Sequence, residues 1–134
     1  MITADNMFEG ILASSPSFHP IWQKFIDNWE GDGDLPLYLL LGDLAFYLVV
    51  LLEEGKETEI KNIFKVVETW HLQGNHYVKE AAIVGLLEDL QNTNFHKKTT
   101  KPEDFLPYML PETKFWWNKV TDFWEKRILI QDDR

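Results

Sequence analysis

Residues 35–52 read LPLYLLLGDLAFYLVVLL, and every residue in this stretch other than Pro36, Gly42 and Asp43 is apolar. A helix on the surface of a small protein usually carries polar residues at regular intervals along one face. This stretch has almost no polar face, so we expect a helix that is packed on most of its sides. The sequence therefore predicts an all-α domain built around this central helix.

Apolar residues recur at helical spacing on both sides of the central helix, between Gly and Pro signals. We predict about six helices in all, near residues 3–13, 19–29, 36–52, 57–71, 75–90 and from 111 onward. The loops between most of them are short, which makes sequential helices antiparallel neighbours. The resulting helical hairpins could close into a bundle or form a short HEAT-like stack. No clean sequence repeat decides between these two arrangements.

Several residues predict how these helices end and pack. Gly55 stands where the residue after the central helix adopts a left-handed conformation, and Gly74-Asn75 ends one helix and caps the next. Ala81, Ala82 and Gly85 give the 75–90 helix a face of small residues that another helix can approach closely. We expect the tail after Ile130 to fray. In the last helix, we expect the inward face to carry Phe115, Trp116, Val120, Phe123 and Trp124.

The length of 134 residues suits one helical domain spanning residues 1–134. The chain has no cysteine, which rules out disulfides and thiolate metal sites and fits a reducing cytoplasm. Its first residues lack the basic segment of a signal peptide, so we expect a cytoplasmic protein. The central apolar run is shorter than the roughly 20 residues that a membrane span needs, and it contains Asp43. We therefore expect no membrane association.

The net charge of −9 is unevenly distributed. Residues 1–54 contain nine acidic residues and one basic residue, for a net charge of −8, whereas residues 55–134 contain thirteen acidic and twelve basic residues. An acidic half repels nucleic acid and anionic lipid and attracts cationic partners. Acidic charge can also serve solubility alone. The asymmetry favours a basic protein partner over direct nucleic-acid binding.

Metal-binding patterns are incomplete. Glu68 and His71 have the Glu-x-x-His spacing of di-iron bundles, but those sites need a second copy. We therefore expect an exposed Glu and a boundary His. Glu30, Asp32 and Asp34 alternate like the start of a calcium loop, but Leu35 and Leu41 stand where that loop needs Gly and Glu. We expect no metal and no cofactor.

Catalytic motifs are missing as well. The sequence has no G-x-S-x-G and no glycine-rich phosphate loop, so we expect no enzymatic activity and assign no catalytic residue. Asp43 is the most unusual single residue, and we expect a buried carboxylate paired with a Lys or a helix end. Trp116 and Trp117 point about 100° apart on a helix, so one of them must lie at an edge or serve as an interface anchor.

Residues 41–92 and 110–124 carry a pattern that resembles small helical immunity proteins of bacterial toxin systems, including contact-dependent growth inhibition and polymorphic toxins. Pro111 directly follows Leu110, whereas the family pattern has a residue between them. Residues 1–34 match no part of the pattern. The matching residues are packing residues, namely Leu44-Ala45, Gly55, Ile63-Phe64, Glu68, Gly85-Leu86-Leu87-Glu88 and the Trp/Phe-rich stretch 110–124.

The resemblance implies a cytoplasmic immunity protein that is a monomer until it binds and neutralises a cognate toxin domain, with a basic nuclease as the expected toxin. Charge clustering then predicts the partner-binding residues, and Trp29 is the aromatic anchor among them. The alternative is a non-catalytic helical adaptor or a self-associating module with an apolar patch near Trp116 or Trp117. The predicted partner-binding residues are Asp27, Trp29, Glu30, Asp32, Asp34, Glu53 and Glu54.

Overall fold

The structure, a computed structural model, describes residues 1–29 and 35–134. It confirms the all-α prediction. The segments between residues 76 and 91 are continuous and form one rod, called here the 76–91 helix. Counting this rod once gives six longer helices in the described chain, as predicted. The elements are α1 Met7–Ser14, α2 His19–Asp27, α3 Leu37–Glu53, α4 Glu57–Gln73, α5 His76–Glu80, a π-helical segment Ala81–Leu87, α6 Glu88–Gln91 and α7 Pro111–Lys126, with short 3-10 turns at Pro16–Phe18, Thr93–Phe95 and Pro102–Tyr108.

Helix α3 is the centre of the core. It packs against α4 and the 76–91 helix, while α4 also contacts α1 and α7. Elements from both ends of the chain therefore meet on α4, which is the packing of a bundle and not of a stack in which each hairpin touches only its neighbours. The buried residues of α3 are Leu37, Leu40, Leu41, Leu44, Ala45, Leu48, Val49 and Leu51.

Both predicted glycine turns are present, for different physical reasons. Gly55 follows α3 with φ of +71°, the left-handed conformation that a residue with a Cβ adopts at a cost. Gly74 ends α4 with an ordinary φ of −73°. A Cβ on Gly74 would clash with the Trp70 carbonyl oxygen, so close packing requires glycine there. The Asn75 side chain then caps α5 by accepting from the Val78 N–H at 3.0 Å.

The small-residue face of the 76–91 helix packs closely against α3, as predicted. A Cβ on Gly85 would lie 2.8 Å from Leu41 Cδ1 and 3.3 Å from Tyr38 Cδ1. Ala81 and Ala82 are fully buried on the same rod. The π-helical turn lies in this small-residue region, between α5 and α6.

The predicted inward face of α7 is confirmed at Val120, but Phe115, Trp116 and Phe123 are only half-buried, and the prediction is wrong at Trp124. The buried residues are Thr113, Trp117 and Val120, whereas Trp124 is 56% exposed. Trp116 is half-buried at the edge, so the expectation that the two adjacent tryptophans cannot both face the core is confirmed. Both faces of α7 are rich in aromatic residues, and contact with α4 and the π-helical segment selects one of them.

The two chain ends also differ from the predictions. Helix α1 begins at Met7 because Ile2 pairs its backbone with the turn after α4, donating to the Gln73 carbonyl at 2.9 Å. The predicted fraying after Ile130 is wrong. Arg127 adopts a left-handed φ of 58°, and Arg134 returns to Glu112 at the start of α7, where two guanidinium nitrogens donate to the carboxylate at 2.8 and 2.7 Å.

Candidate protein-interaction site

One side of α3 is open to solvent, although the helix is packed on its other sides as expected. Leu39 is 67% exposed and Phe46 is 53% exposed, and Asp43 between them is also exposed. Their spacing of four and three residues places all three on one stripe of the helix. Large apolar side chains exposed in such a row are uncommon on a protein surface without a binding role.

Helix α2 forms the second wall of a groove along this stripe. Ile21 and Phe25 on α2, with Trp29 just beyond its end, face Leu39 and Phe46 across a cavity of about 570 Å³. Helix α2 has no fully buried residue, so its apolar side chains are half-buried against α3 and remain accessible from the groove. We call this feature, formed by residues 21–29 and 36–46, the α2–α3 groove.

Asp43 places a carboxylate inside the α2–α3 groove. The prediction of a buried, paired carboxylate is wrong, because Asp43 is on the exposed stripe. Partial burial nevertheless raises the pKa of the Asp43 carboxyl above its usual value, and the positive charge of Lys24 on α2 opposes that shift. Asp43, the one charged residue within residues 35–52, is the sequence signal that marks this open stripe, whereas Leu39 and Phe46 have the same apolar character as their buried neighbours.

The structure brings together some of the predicted partner-binding residues and separates others. Trp29 lines the groove, and Asp27 is exposed at the end of α2, where Gln23 Nε2 donates to Oδ1 of Asp27 at 2.9 Å. Glu53 and Glu54 lie at the other end of α3, about 20 Å along the helix axis from Leu39. Lys97 Nζ lies 3.8 Å from the Glu53 carboxylate. The remaining predicted residues, Glu30, Asp32 and Asp34, lie outside the described residues.

Glu68 and His71 have structural positions in the core. The expectation of an exposed Glu and a boundary His is wrong, because both residues are buried. The Glu68 carboxylate accepts hydrogen bonds from the first turn of α7. Neither ring nitrogen of His71 has a hydrogen-bond partner among the described residues, and burial lowers the pKa of its imidazole to about 4. Within the described ranges, no group of three or more His, Asp or Glu side chains is placed to hold a metal ion.

A cluster of hydroxyl groups was not anticipated from the sequence. Ser15, Ser17 and Tyr47 each donate to Oε2 of Glu59, at 3.0, 2.9 and 3.1 Å. The hydrogen bonds from Ser17, Ser15 and Tyr47 keep the pKa of the Glu59 carboxyl below its usual value, although partial burial acts to raise it. These bonds join the segment after α1 to α3 and α4. Ser15 lies 32 residues before Tyr47 and 44 before Glu59, so no local motif indicates the cluster.

Comparison with known proteins identifies the family of the chain. In residues 1–29 and 35–134, no helix combines the length and the apolar character that crossing a bilayer requires. The chain has no match among the curated proteins and none among the solved structures. One family model, described as a domain of unknown function (DUF7674), matches residues 8–125, which include every α-helix except the first residue of α1 and the last residue of α7. The chain therefore belongs to the DUF7674 family.

Proposed function

We propose that this protein is a non-catalytic immunity protein that neutralises a bacterial toxin domain by binding it in the α2–α3 groove. The observation that carries the proposal is the exposed stripe of Leu39, Asp43 and Phe46. It combines apolar contact area with a negative charge. The toxin-directed part of the proposal comes from the resemblance of residues 41–92 and 110–124 to immunity proteins.

The groove has the composition of a protein-binding surface. Binding energy at protein interfaces is concentrated in a few aromatic and aliphatic anchors that become buried on association. Phe25, Trp29 and Phe46 are such anchors, and each is only partly covered in the free protein. Asp43 places a carboxylate inside the groove, where it can select a cationic partner, and Asp27 is an exposed acid at the end of α2.

The charge distribution supports a basic partner. The segment that contains both walls of the groove belongs to the acidic half of the chain, with a net charge of −8 over residues 1–54. Complementary charge speeds association and suppresses wrong partners. A nuclease cleft is basic because it must hold phosphates. A nuclease toxin therefore offers the complementary surface, and Glu30, Asp32 and Asp34 would extend the same acidic character along the sequence.

Co-expression tests the proposal in cells. The C-terminal domain encoded by the preceding open reading frame is expressed with and without this protein, and growth is followed. We expect growth arrest that the wild-type chain relieves and that a Leu39→Ser, Asp43→Lys double variant does not. The matched control is Leu72→Ser with Glu125→Lys, which changes an exposed leucine on α4 and an exposed acid on α7. If the groove variant and the control variant both relieved growth arrest, the groove would not be the binding site. If the wild-type chain did not relieve growth arrest, the immunity function would be contradicted.

An adaptor or self-associating module is the second candidate function. Trp117 is buried, so the apolar patch predicted near Trp116 or Trp117 is available only at Trp116, which is half-buried and lines a cavity with Ile83 and Ile130. Further exposed apolar side chains occur at and after the end of α7, at Trp124, Ile128 and Leu129. Self-association through them predicts a molar mass in light scattering that rises with concentration and falls to the monomer value in Trp124→Ser. A constant monomer mass would remove this self-associating version.

A further inference from the structure

The geometry of the α2–α3 groove points to the kind of segment that occupies it. We propose that the occupant is an amphipathic α-helix of the partner, with two apolar residues that contact Leu39 and Phe46 and a Lys or Arg between them that pairs with Asp43. This inference rests on the proposed binding role of the groove and adds the secondary structure and the chemistry of the bound segment.

The walls of the groove favour a helix over an extended strand. A strand binds by adding to a sheet edge with unpaired backbone groups. The groove residues of α2 and α3 are helical, so most of their backbone groups are already bonded within those helices. Recognition must therefore use side chains. The stripe, with apolar residues at positions i and i+7 and Asp43 at i+4, spans about 10 Å, and the residues on one face of an amphipathic helix repeat at the same spacing.

The packing of α3 supports the same conclusion. Its buried sides already hold α4 and the 76–91 helix. A further helix laid along Leu39 and Phe46 would insert its side chains between those of α3 in the ordinary manner of helix packing. Helix α2 leaves space for this along its apolar side, because Ile21 and Phe25 line the cavity and are only half-buried.

Asp43 defines the charge of the occupant. A segment that covers Leu39 and Phe46 also removes water from the carboxylate between them, and a desolvated carboxylate requires a cation or hydrogen-bond donors. Lys24 acts on Asp43 from the α2 wall, but the two side chains form no ion pair in the described structure. A Lys or Arg at the middle of the bound helix would add a direct ion pair to the effect of Lys24, which lines the same cavity.

Charge also decides against a second copy of this chain as the occupant. The charged residues of the groove ranges are Lys24, Asp27 and Asp43, so two copies that met groove to groove would bring four carboxylates against two ammonium groups. Like charges across an interface oppose association. A basic helix from a different protein avoids this repulsion.

A displayed peptide library tests the inference without the natural partner. The library consists of alanine-based 15-residue helices, randomised at positions i, i+3, i+4, i+7 and i+8. It is selected on the full-length wild-type chain after counter-selection on Asp43→Lys. We expect enrichment of apolar residues at the outer positions and of Lys or Arg at i+3 or i+4. We also expect a selected peptide to shift the indole N–H resonance of Trp29, which is assigned from its loss in Trp29→Phe.

A charge exchange provides the matched control. Replacing the central basic residue of a selected peptide by Glu should weaken binding to the wild type at least ~10-fold and restore binding to Asp43→Lys. Asp43 is exposed, so the variant should fold, and its amide spectrum verifies this. Three outcomes would overturn the inference. The selection could enrich no sequence, it could enrich proline-containing or uncharged sequences, or the selected peptides could leave the Trp29 resonance unshifted. If the peptide test failed but the protein neutralised the toxin in cells, the proposed immunity function would stand and the helix site would be wrong. If a peptide bound but the protein did not neutralise the toxin, the helix site would stand and the proposed function would be wrong.

Discussion

Glu68 on α4 fixes Thr113 at the start of α7: its Oε1 accepts from both the backbone N–H and the hydroxyl of Thr113, each at 2.8 Å. The second oxygen accepts from the N–H of Glu112 at 2.9 Å. The first N–H groups of a helix have no partner within it, and the N-cap residue of α7, Leu110, has no side chain that could accept from them. Glu68 therefore caps α7 from another helix.

Glu68→Ala should destabilise the protein by about 3 kcal/mol, because it leaves buried donors of α7 without an acceptor. Glu68→Gln should cost less, since its one remaining oxygen still accepts. Urea unfolding followed by circular dichroism measures both. Glu125→Ala, an exposed acid on α7, is the control and should change the free energy of unfolding by less than about 0.5 kcal/mol. Equal stability of Glu68→Ala and the control would contradict the capping role.

His71 should make the protein sensitive to mild acid. Burial lowers the pKa of the folded imidazole from 6.5 to about 4, so the unfolded chain binds more protons between these values. The stability that the neutral ring retains above pH 6.5 is therefore lost as the pH falls from 6.5 towards 4. At pH 5 the loss relative to pH 8 is about 2 kcal/mol.

The His71 effect is isolated by comparing variants across pH. His71→Leu removes the titrating imidazole. The free energy of unfolding of this variant, relative to that of the wild type, should therefore rise by about 2 kcal/mol between pH 8 and pH 5. His76→Gln, at a ring that is exposed, is the control. Urea midpoints at several pH values provide the measurement. Parallel pH profiles for the wild type and His71→Leu would refute the assignment.

Two glycine-to-alanine substitutions should have opposite effects. Gly74→Ala places a methyl group against the Trp70 carbonyl oxygen and the Val78 side chain, and should cost about 1–3 kcal/mol. Gly42→Ala lies within α3, where the nearest atom to the new methyl is Asp89 Oδ2 at 3.6 Å. Alanine is the better helix former there and should stabilise by up to about 1 kcal/mol. Thermal unfolding ranks the stabilities of the variants. A Gly42→Ala variant less stable than the wild type would show that a methyl group does not fit beside Asp89.

Arg134 should hold the returning C-terminal segment on α7. Its guanidinium bonds to Glu112 and lies 3.9 Å from the centre of the Phe115 ring. The same hydrogen bonds hold the pKa of the Glu112 carboxyl below its usual value. In Arg134→Ala, we expect this pKa to rise in an NMR titration and the amides of residues 128–133 to exchange faster. Lys126→Ala is the control, and an unchanged Glu112 pKa in Arg134→Ala would disprove the contact.

The groove illustrates how far local sequence information reaches. The charge bias of residues 1–54 and the aromatic Trp29 are visible in the sequence, and they indicate an acidic interaction surface in this region. The open stripe of α3 is not visible, because Leu39 and Phe46 have the same apolar character as their buried neighbours. Only the position of α2 and the other helices determines which apolar positions remain exposed.

The sequence by itself determined the helical class, the bounds of most helices and the glycine turns, since apolar spacing, Pro, Gly and Asn act within a few residues. The tertiary structure decided which face of α7 is buried, that Glu68 caps α7, and that Asp43 faces a groove. It also placed His71 in the core, without a hydrogen-bond partner among the described residues. Each of these depends on contacts between residues far apart in the chain. Burial and electrostatic environment arise from packing in three dimensions, which local periodicity does not encode.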